Sequence, residues 1–210
     1  MKFLVKSKLL TFSLLCSLST SVLADNVTET LKNKIAGLNA FTSDFTQQVF
    51  DSDNVEIQSA TGSTQLKQPN LFKWHTQEPD ESILQCDGET IWFYDPFIEQ
   101  VTAVWLKEAL LNNPILLLLK VEDEIWQGYQ VSQLDDNRFK IRVKDEKSLV
   151  ESIEVTFVKG SSAVDKLVVS DRQGQNSHYQ FSQFKMAPQL TRQQFTFSLP
   201  EGVELDDQRQ

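Results

Sequence analysis

His75 and His178 are the only two histidines in 210 residues. The other groups able to do chemistry are few: Glu78, Asp80 and Glu81 around Pro79, and Cys86. An imidazole beside a carboxylate moves protons, and a thiolate attacks carbonyls or binds metal. No spacing here completes such a site. Neither histidine falls in an HExxH pattern, and the chain has no GxSxG, no glycine-rich phosphate loop and no CxxC. Glu78, Asp80 and Glu81 flank a proline and read as an exposed turn. Asp51-Ser52-Asp53-Asn54 lacks the glycine and closing glutamate of a calcium loop and reads as a hairpin turn. The expectation is a protein that is not an enzyme and holds no metal and no cofactor.

Cys86 closes an apolar run and is expected to be a buried small hydrophobe. The other cysteine, Cys16, follows Leu15, which is not the small residue that lipoprotein processing requires. It lies in a segment with the layout of a secretory signal peptide: Lys2, Lys6 and Lys8, an apolar run from Leu9 to Leu18, and Val22-Leu23-Ala24 before Asp25. The apolar run is too short to span a bilayer. Residues 1–24 are therefore expected to be removed, leaving 25–210 as a single domain. Loss of three lysines takes the net charge from −9 to −12. So acidic a body repels nucleic acid and anionic headgroups, which excludes DNA or RNA binding.

The elements that position these residues centre on 68–105, which hold three of the four tryptophans. Leu71-Phe72-Lys73-Trp74, Ser82 to Cys86 and Ile91-Trp92-Phe93-Tyr94 are strand-like runs, parted by Gln77-Glu78-Pro79-Asp80 and by the hairpin signal Asp87-Gly88. Phe72 and Trp74 share a face, yet Trp92 and Tyr94 point opposite to Ile91 and Phe93, so both faces carry large apolar groups. A two-layer sandwich absorbs that, and so does a curved sheet around an apolar ligand.

Leu31, Ile35 and Leu38 predict an amphipathic helix from Thr28, ending near Gly37. Phe41 to Phe50 follows with Phe41, Phe45 and Val49 on one face. Glu56 to Lys67 reads as a polar strand, exposed at one face or at an edge. Val104 to Leu111 reads as helix, stops at Asn112-Asn113-Pro114 and resumes as Ile115 to Leu119, apolar all round and so either a core helix or a lid. Later runs alternate plainly: Phe139, Ile141 and Val143 inward with Arg138, Lys140, Arg142 and Lys144 outward, then Ser152 to Val158 with Ile153, Val155 and Phe157 inward, Val164 to Val169, Tyr179 to Phe184 and Phe195 to Leu199. No crossover helix separates them, which predicts antiparallel pairing throughout.

The runs QPNLFKW, EPDESIL and DGETIWFYDPFIEQVTAVWLKEAL, with FTFSLPEGVELDDQR near the C-terminus, resemble the LolA-type outer-membrane lipoprotein carriers of the periplasm, and the likeness covers the chain after residue 24. The resemblance implies a mainly β (α+β) fold. This is a single antiparallel, strongly curved, unclosed β-barrel of about eleven strands, with short α-helices as a lid over an apolar cavity. It turns the Ile115–Leu119 alternatives toward the lid. Cavity and lid then take in Phe72, Trp74, Trp92, Phe93, Trp105, Leu106, Leu110, Ile115, Leu116 and Leu118, with the hollow open when unloaded.

The same resemblance places Phe72, in Pro-Asn-Leu-Phe, at the encounter with a transporter. The position before Pro69 is commonly arginine in the family, latching the lid through its carbonyls. Here it is Gln68, uncharged and shorter, so either a weaker latch or one made by Lys67 is expected. The implied partners are acylated lipoproteins, an inner-membrane ABC-type lipoprotein-releasing complex and an outer-membrane receptor lipoprotein, met by a monomer in the periplasm. The rival readings are a carrier of another apolar ligand and a periplasmic chaperone module of the same half-barrel fold. A receptor-type relative needs a lipidated cysteine where this chain has Asp25.

Overall fold

The computed structural model describes residues 21–112, 116, 117, 119 and 123–209, with the side chains of all but 21–26 and 110–112. The strands, in chain order, are β1 (Ala40–Phe50), β2 (Glu56–Lys67), β3 (Leu71–Glu78), β4 (Ser82–Asp87), β5 (Thr90–Asp95) and β6 (Gln100–Trp105). After the helical segment come β7 (Tyr129–Asp135), β8 (Arg138–Val143), β9 (Val150–Phe157), β10 (Val164–Asp171), β11 (Asn176–Met186) and β12 (Glu204–Asp207). Helices are α1 (Ser21–Ala36), α2 (Leu106–Asn112) and α3 (Asp123–Trp126).

All twelve strands make one curved sheet in the order β12-β6-β5-β4-β3-β2-β1-β11-β10-β9-β8-β7, and its two ends do not pair with each other. The unclosed, mainly β architecture is as expected, with one strand more than the count the resemblance implies. That extra strand departs from the pairing rule: β12 runs parallel to β6, Leu205 opposite Val101. A long return from β11, in the middle of the sheet, across the outer face brings it to the β6 edge, which is how a parallel edge arises without a crossover helix.

The alternating segments fold as read. In β8, Phe139, Ile141 and Val143 are buried while Arg138 and Arg142 face solvent. The Asp51–Asn54 turn closes β1 onto β2, with the Asp51 carboxylate accepting from the Asp53 and Val55 amides. Leu31, Ile35 and Leu38 of the α1 region are buried in the main core. β2 is no edge strand: it lies between β1 and β3, and its inner face, Ala60 to Leu66, is buried. Gly62 is required there. A Cβ on it would stand 2.1 Å from the His75 carbonyl oxygen and 2.6 Å from the Phe45 ring.

Two corrections concern the ends of elements. Val104 and Trp105 finish β6 rather than starting a helix, and α2 begins at Leu106, whose amide donates to the Glu89 carbonyl. Phe195 to Leu199 is not a strand. Arg192–Phe195 forms a 3₁₀ turn, and Phe195 is buried with Leu71, Ala187 and Leu190 in a second small core on the outer face. The large apolar groups on both faces of β3–β5 are thereby explained: the lid covers one face and the C-terminal segment the other.

Candidate functional site: an apolar hollow under leucines

Strand parity puts Phe41 and Ser43 of β1, Thr64 and Leu66 of β2, and Phe72 and Trp74 of β3 on the same inner face. β11 adds Phe181 and Phe184, and β10 adds Val164. These side chains enclose a hollow roofed by Leu116 and Leu119. Trp74 is its centre of packing. Its ring lies 4.0 Å from that of Phe45 and meets Tyr179 and Phe181 edge-on at 5.4 and 6.0 Å. Phe41 stacks on Phe184 at 5.0 Å across the β1–β11 seam. That seam carries a bulge: the register jumps between Thr42 and Asp44, and Gln183 takes a φ of 52°.

The hollow is nearly filled. Its free volume is about 30 Å³, room for a water molecule or two. Leu116, Leu117 and Leu119 are 2%, 0% and 1% exposed and form part of the main core. The expectation of an open cavity is therefore corrected: leucines of the lid occupy the space, because exposed apolar walls in water draw in any flexible apolar chain nearby. Next to it lies an open, mainly apolar groove of about 360 Å³, walled by Leu84, Ile91, Phe93, Val104 and Ala109 and bordered by Glu108 and Gln208. Leu116 borders both spaces and parts one from the other.

Of the residues named from sequence, Phe72, Trp74 and Leu116 meet in the wall of the hollow, Phe93 lies in the groove, and Leu106 is buried in the core beside them. Phe72 is only 8% exposed. Its ring packs against that of Trp74 at 6.1 Å, so little of it is exposed in this conformation. Trp92 and Trp105 do not reach the hollow. The Trp92 indole donates to the Asp87 carboxylate at 2.8 Å, its ring stacks on Phe197 at 4.9 Å, and the Arg209 guanidinium lies over both tryptophans. Neighbouring strand residues point to opposite faces, and the C-terminal segment claims the outer one. Ile115, Leu118 and the side chain of Leu110 lie outside the described residues.

Neither latch candidate bonds to the described part of the lid. Gln68 donates its amide to the Ile35 carbonyl of α1 at 2.8 Å, and Lys67 donates to the Leu190 carbonyl at 2.6 Å. A different contact ties α1 to the lid's far end: Lys32 bonds both Glu29 and Asp123, and these carboxylates raise its pKa. Phe41, Ser43, Thr64, Leu66, Val164, Phe181 and Phe184 were not foreseen as lining. The only signal in the sequence was their inward parity, which marks core and ligand wall alike.

His75 pairs with Glu81 at 2.7 Å, while His178 packs on Phe50, its pKa lowered by burial and by Lys166. Burial pushes the Cys86 thiol up to about 12. At such a value it stays protonated and unreactive. Among the described residues no three His, Cys, Asp or Glu side chains gather as a metal site, and no helix is long and apolar enough to cross a membrane.

Residues 36–198 match the family model described as outer membrane lipoprotein carrier protein LolA. The chain is 40% identical over 205 residues to the outer-membrane lipoprotein carrier protein of Aeromonas salmonicida (strain A449), covering 98% of this chain and 100% of that one. It is likewise 40% identical over 193 residues to the protein of the same description from Serratia proteamaculans (strain 568), 91% and 93% of the two chains. Among solved structures it resembles a LolA superfamily protein from Nitrosomonas europaea, with TM-score 0.50, 12% identity, and 83% and 97% coverage. An outer membrane lipoprotein-sorting protein domain from Vibrio parahaemolyticus gives TM-score 0.51, 11% identity, and 84% and 97% coverage. At these identities the structural likeness speaks for the fold.

Proposed function

The chain belongs to the LolA family of outer-membrane lipoprotein carrier proteins, and from that premise we propose that it carries acylated lipoproteins through the periplasm by exchanging its lid leucines for their acyl chains. The observation that carries this reading is the hollow walled by Phe41, Leu66, Phe72, Trp74 and Phe181 and stoppered by Leu116 and Leu119. A sixteen-carbon chain gains on the order of 10 kcal/mol on leaving water, at about 0.8 kcal/mol per methylene. Exposing a buried leucine costs about 1.5–3 kcal/mol. Displacing the two stopper leucines by even one acyl chain is therefore downhill. The groove past Phe93 and Val104 supplies the approach, and Leu116 is the first side chain that must move. No bond is made or broken, so no catalytic group is needed.

In this reading residues 1–24 are a signal peptide. Its removal takes the first residues of α1, which runs unbroken from Ser21 to Ala36, and leaves 25–210 as one periplasmic, monomeric domain. Cargo arrives from an inner-membrane ABC-type complex and leaves to an outer-membrane receptor lipoprotein. The driving difference between donor, carrier and receptor is how much apolar contact each offers the acyl chains. The acidic surface keeps the carrier off anionic membranes between the two.

The mature protein, purified from the periplasm and weighed intact under native conditions, is expected to carry an acylated polypeptide in a fraction of molecules. A bound free lipid with no polypeptide in any fraction would instead make it a carrier of another apolar ligand.

A further inference from the structure

The hollow is not uniformly apolar. Ser43 and Thr64 face each other across the β1–β2 pair and both line it. The Ser43 hydroxyl is engaged, donating to the Ser182 carbonyl at 2.6 Å. That of Thr64 is not. Thr64 is 2% exposed, and its Oγ1 has no hydrogen-bond partner among the described residues. A threonine hydroxyl carries one donor and two acceptor positions. Leaving it unpaired costs more than a valine of the same shape would in that place, and the hollow beside it has room for no more than a water or two to pair it before a ligand does. Its neighbours across the strand pairs are Ser43 on one side and Trp74 on the other. Around it stand Phe41, Leu66, Phe72 and Phe181, none of which can satisfy it with a side-chain atom.

An acyl chain brings one polar group into such a wall: the carbonyl of its ester or amide linkage, an acceptor without a donor. We propose that Thr64 is a specificity-determining residue, its hydroxyl donating a hydrogen bond to the linkage carbonyl of a bound acyl group. This rests on the carrier reading and deepens it. The hydroxyl sets where along the lipid the polar head ends and the tails begin, so cargo is recognised by its carbonyl as well as by its grease. A plain hydrocarbon tail leaves Thr64 unpaired, and an ether-linked one offers a bridging oxygen but not the carbonyl that the ester projects toward the wall, so the site discriminates against both because a poorly paired buried donor is penalised.

The test uses the mature protein, a synthetic diacylglyceryl-cysteine peptide with two ester-linked sixteen-carbon chains, its dialkyl ether analogue, and a third peptide bearing a single amide-linked chain. Affinities are measured by displacement of an environment-sensitive dye for wild type, Thr64→Val and Thr64→Ser. Wild type is expected to prefer the ester to the ether by about five- to tenfold, the worth of one neutral hydrogen bond. Thr64→Val should lose that preference, bind the ether at least as well, and melt no lower than wild type. Thr64→Ser should keep the preference. The amide-linked peptide distinguishes which carbonyl is read: a loss on Thr64→Val for it alone assigns the N-acyl group, and a loss for the diester assigns the glyceryl esters.

Equal binding of ester and ether by wild type, or a preference that survives Thr64→Val, together with unchanged binding of the amide-linked peptide by Thr64→Val, would overturn the proposal while leaving the carrier reading in place. A lowered melting point for Thr64→Val would also overturn it, by showing that the hydroxyl serves the fold. If neither the peptides nor their analogues displace the dye from wild type, the carrier reading fails and this proposal with it.

Discussion

The side-chain amide of Gln68 donates to the carbonyl oxygen of Ile35 at 2.8 Å, and this bond joins the end of β2 to the last turn of α1. The Gln68 amide N–H reinforces it by donating to the Asn39 carbonyl. Among the described residues Gln68 is thus a brace for α1. Gln68→Ala should lower the unfolding free energy by about 1 kcal/mol. Gln68→Arg should restore or exceed the wild-type value, since a cation beside helix C-terminal carbonyls is favoured by about 0.3–1 kcal/mol. Urea unfolding reads both. Faster amide exchange in the lid of Gln68→Ala, at unchanged global stability, would return the residue to the lid.

Leu119→Ala separates stability from loading. The leucine is 1% exposed, so its truncation should cost about 2–5 kcal/mol in unfolding free energy. The same change enlarges the hollow and weakens the stopper, so an apolar dye should bind more tightly than to wild type. Weaker dye binding would mean that Leu119 contributes wall to the loaded site.

Asp87 contributes to the acid behaviour of the outer face. Burial alone would raise its carboxyl, but the Thr90 amide, the Trp92 indole N–H, the Glu89 amide and the nearby Arg192 together hold it below the usual carboxylate range. A lowered folded pKa means the ionised form stabilises the fold. That contribution is present above the unfolded value of about 3.9 and fades as pH falls through the folded value. Asp87→Asn should therefore be less stable at neutral pH and show a flatter decline of melting temperature from about pH 5 to about pH 2. Parallel declines in the two proteins would assign the acid sensitivity elsewhere.

Gly62→Ala should be among the most damaging single methyl additions, because the new Cβ meets the His75 carbonyl oxygen of the adjoining strand. The strands would have to part at the seam beside Trp74. A loss of about 3 kcal/mol is expected, with Trp74 fluorescence shifted toward that of a wetter indole. A variant that melts like wild type would show that β2 and β3 slide to accommodate it.

Much of this molecule is legible from local pattern. Alternation in β8 and β9, the Asp87-Gly88 turn, the Asp51 hairpin and the Leu31-Ile35-Leu38 stripe depend on side chains a few positions apart, and period and turn chemistry act at that range. The family likeness, carried by contiguous runs from Gln68 to Leu110, supplied the carrier reading that local pattern leaves open. The sheet order lies beyond either. It sets β11 beside β1, so that Phe181 and Phe184 from late in the chain meet Phe41 from its start. Which of two apolar faces looks inward at Trp92 was likewise undecidable, because parity assigns opposite faces without naming them. The C-terminal segment settles it by taking Trp92 for the outer face through Phe197 and Arg209. Whether the hollow stands open depended on the lid leucines, whose burial is a long-range apolar contact with no trace in spacing. The unpaired hydroxyl of Thr64 belongs to the same class, since a threonine in a polar-looking strand reveals itself as buried only when the opposite wall is in place.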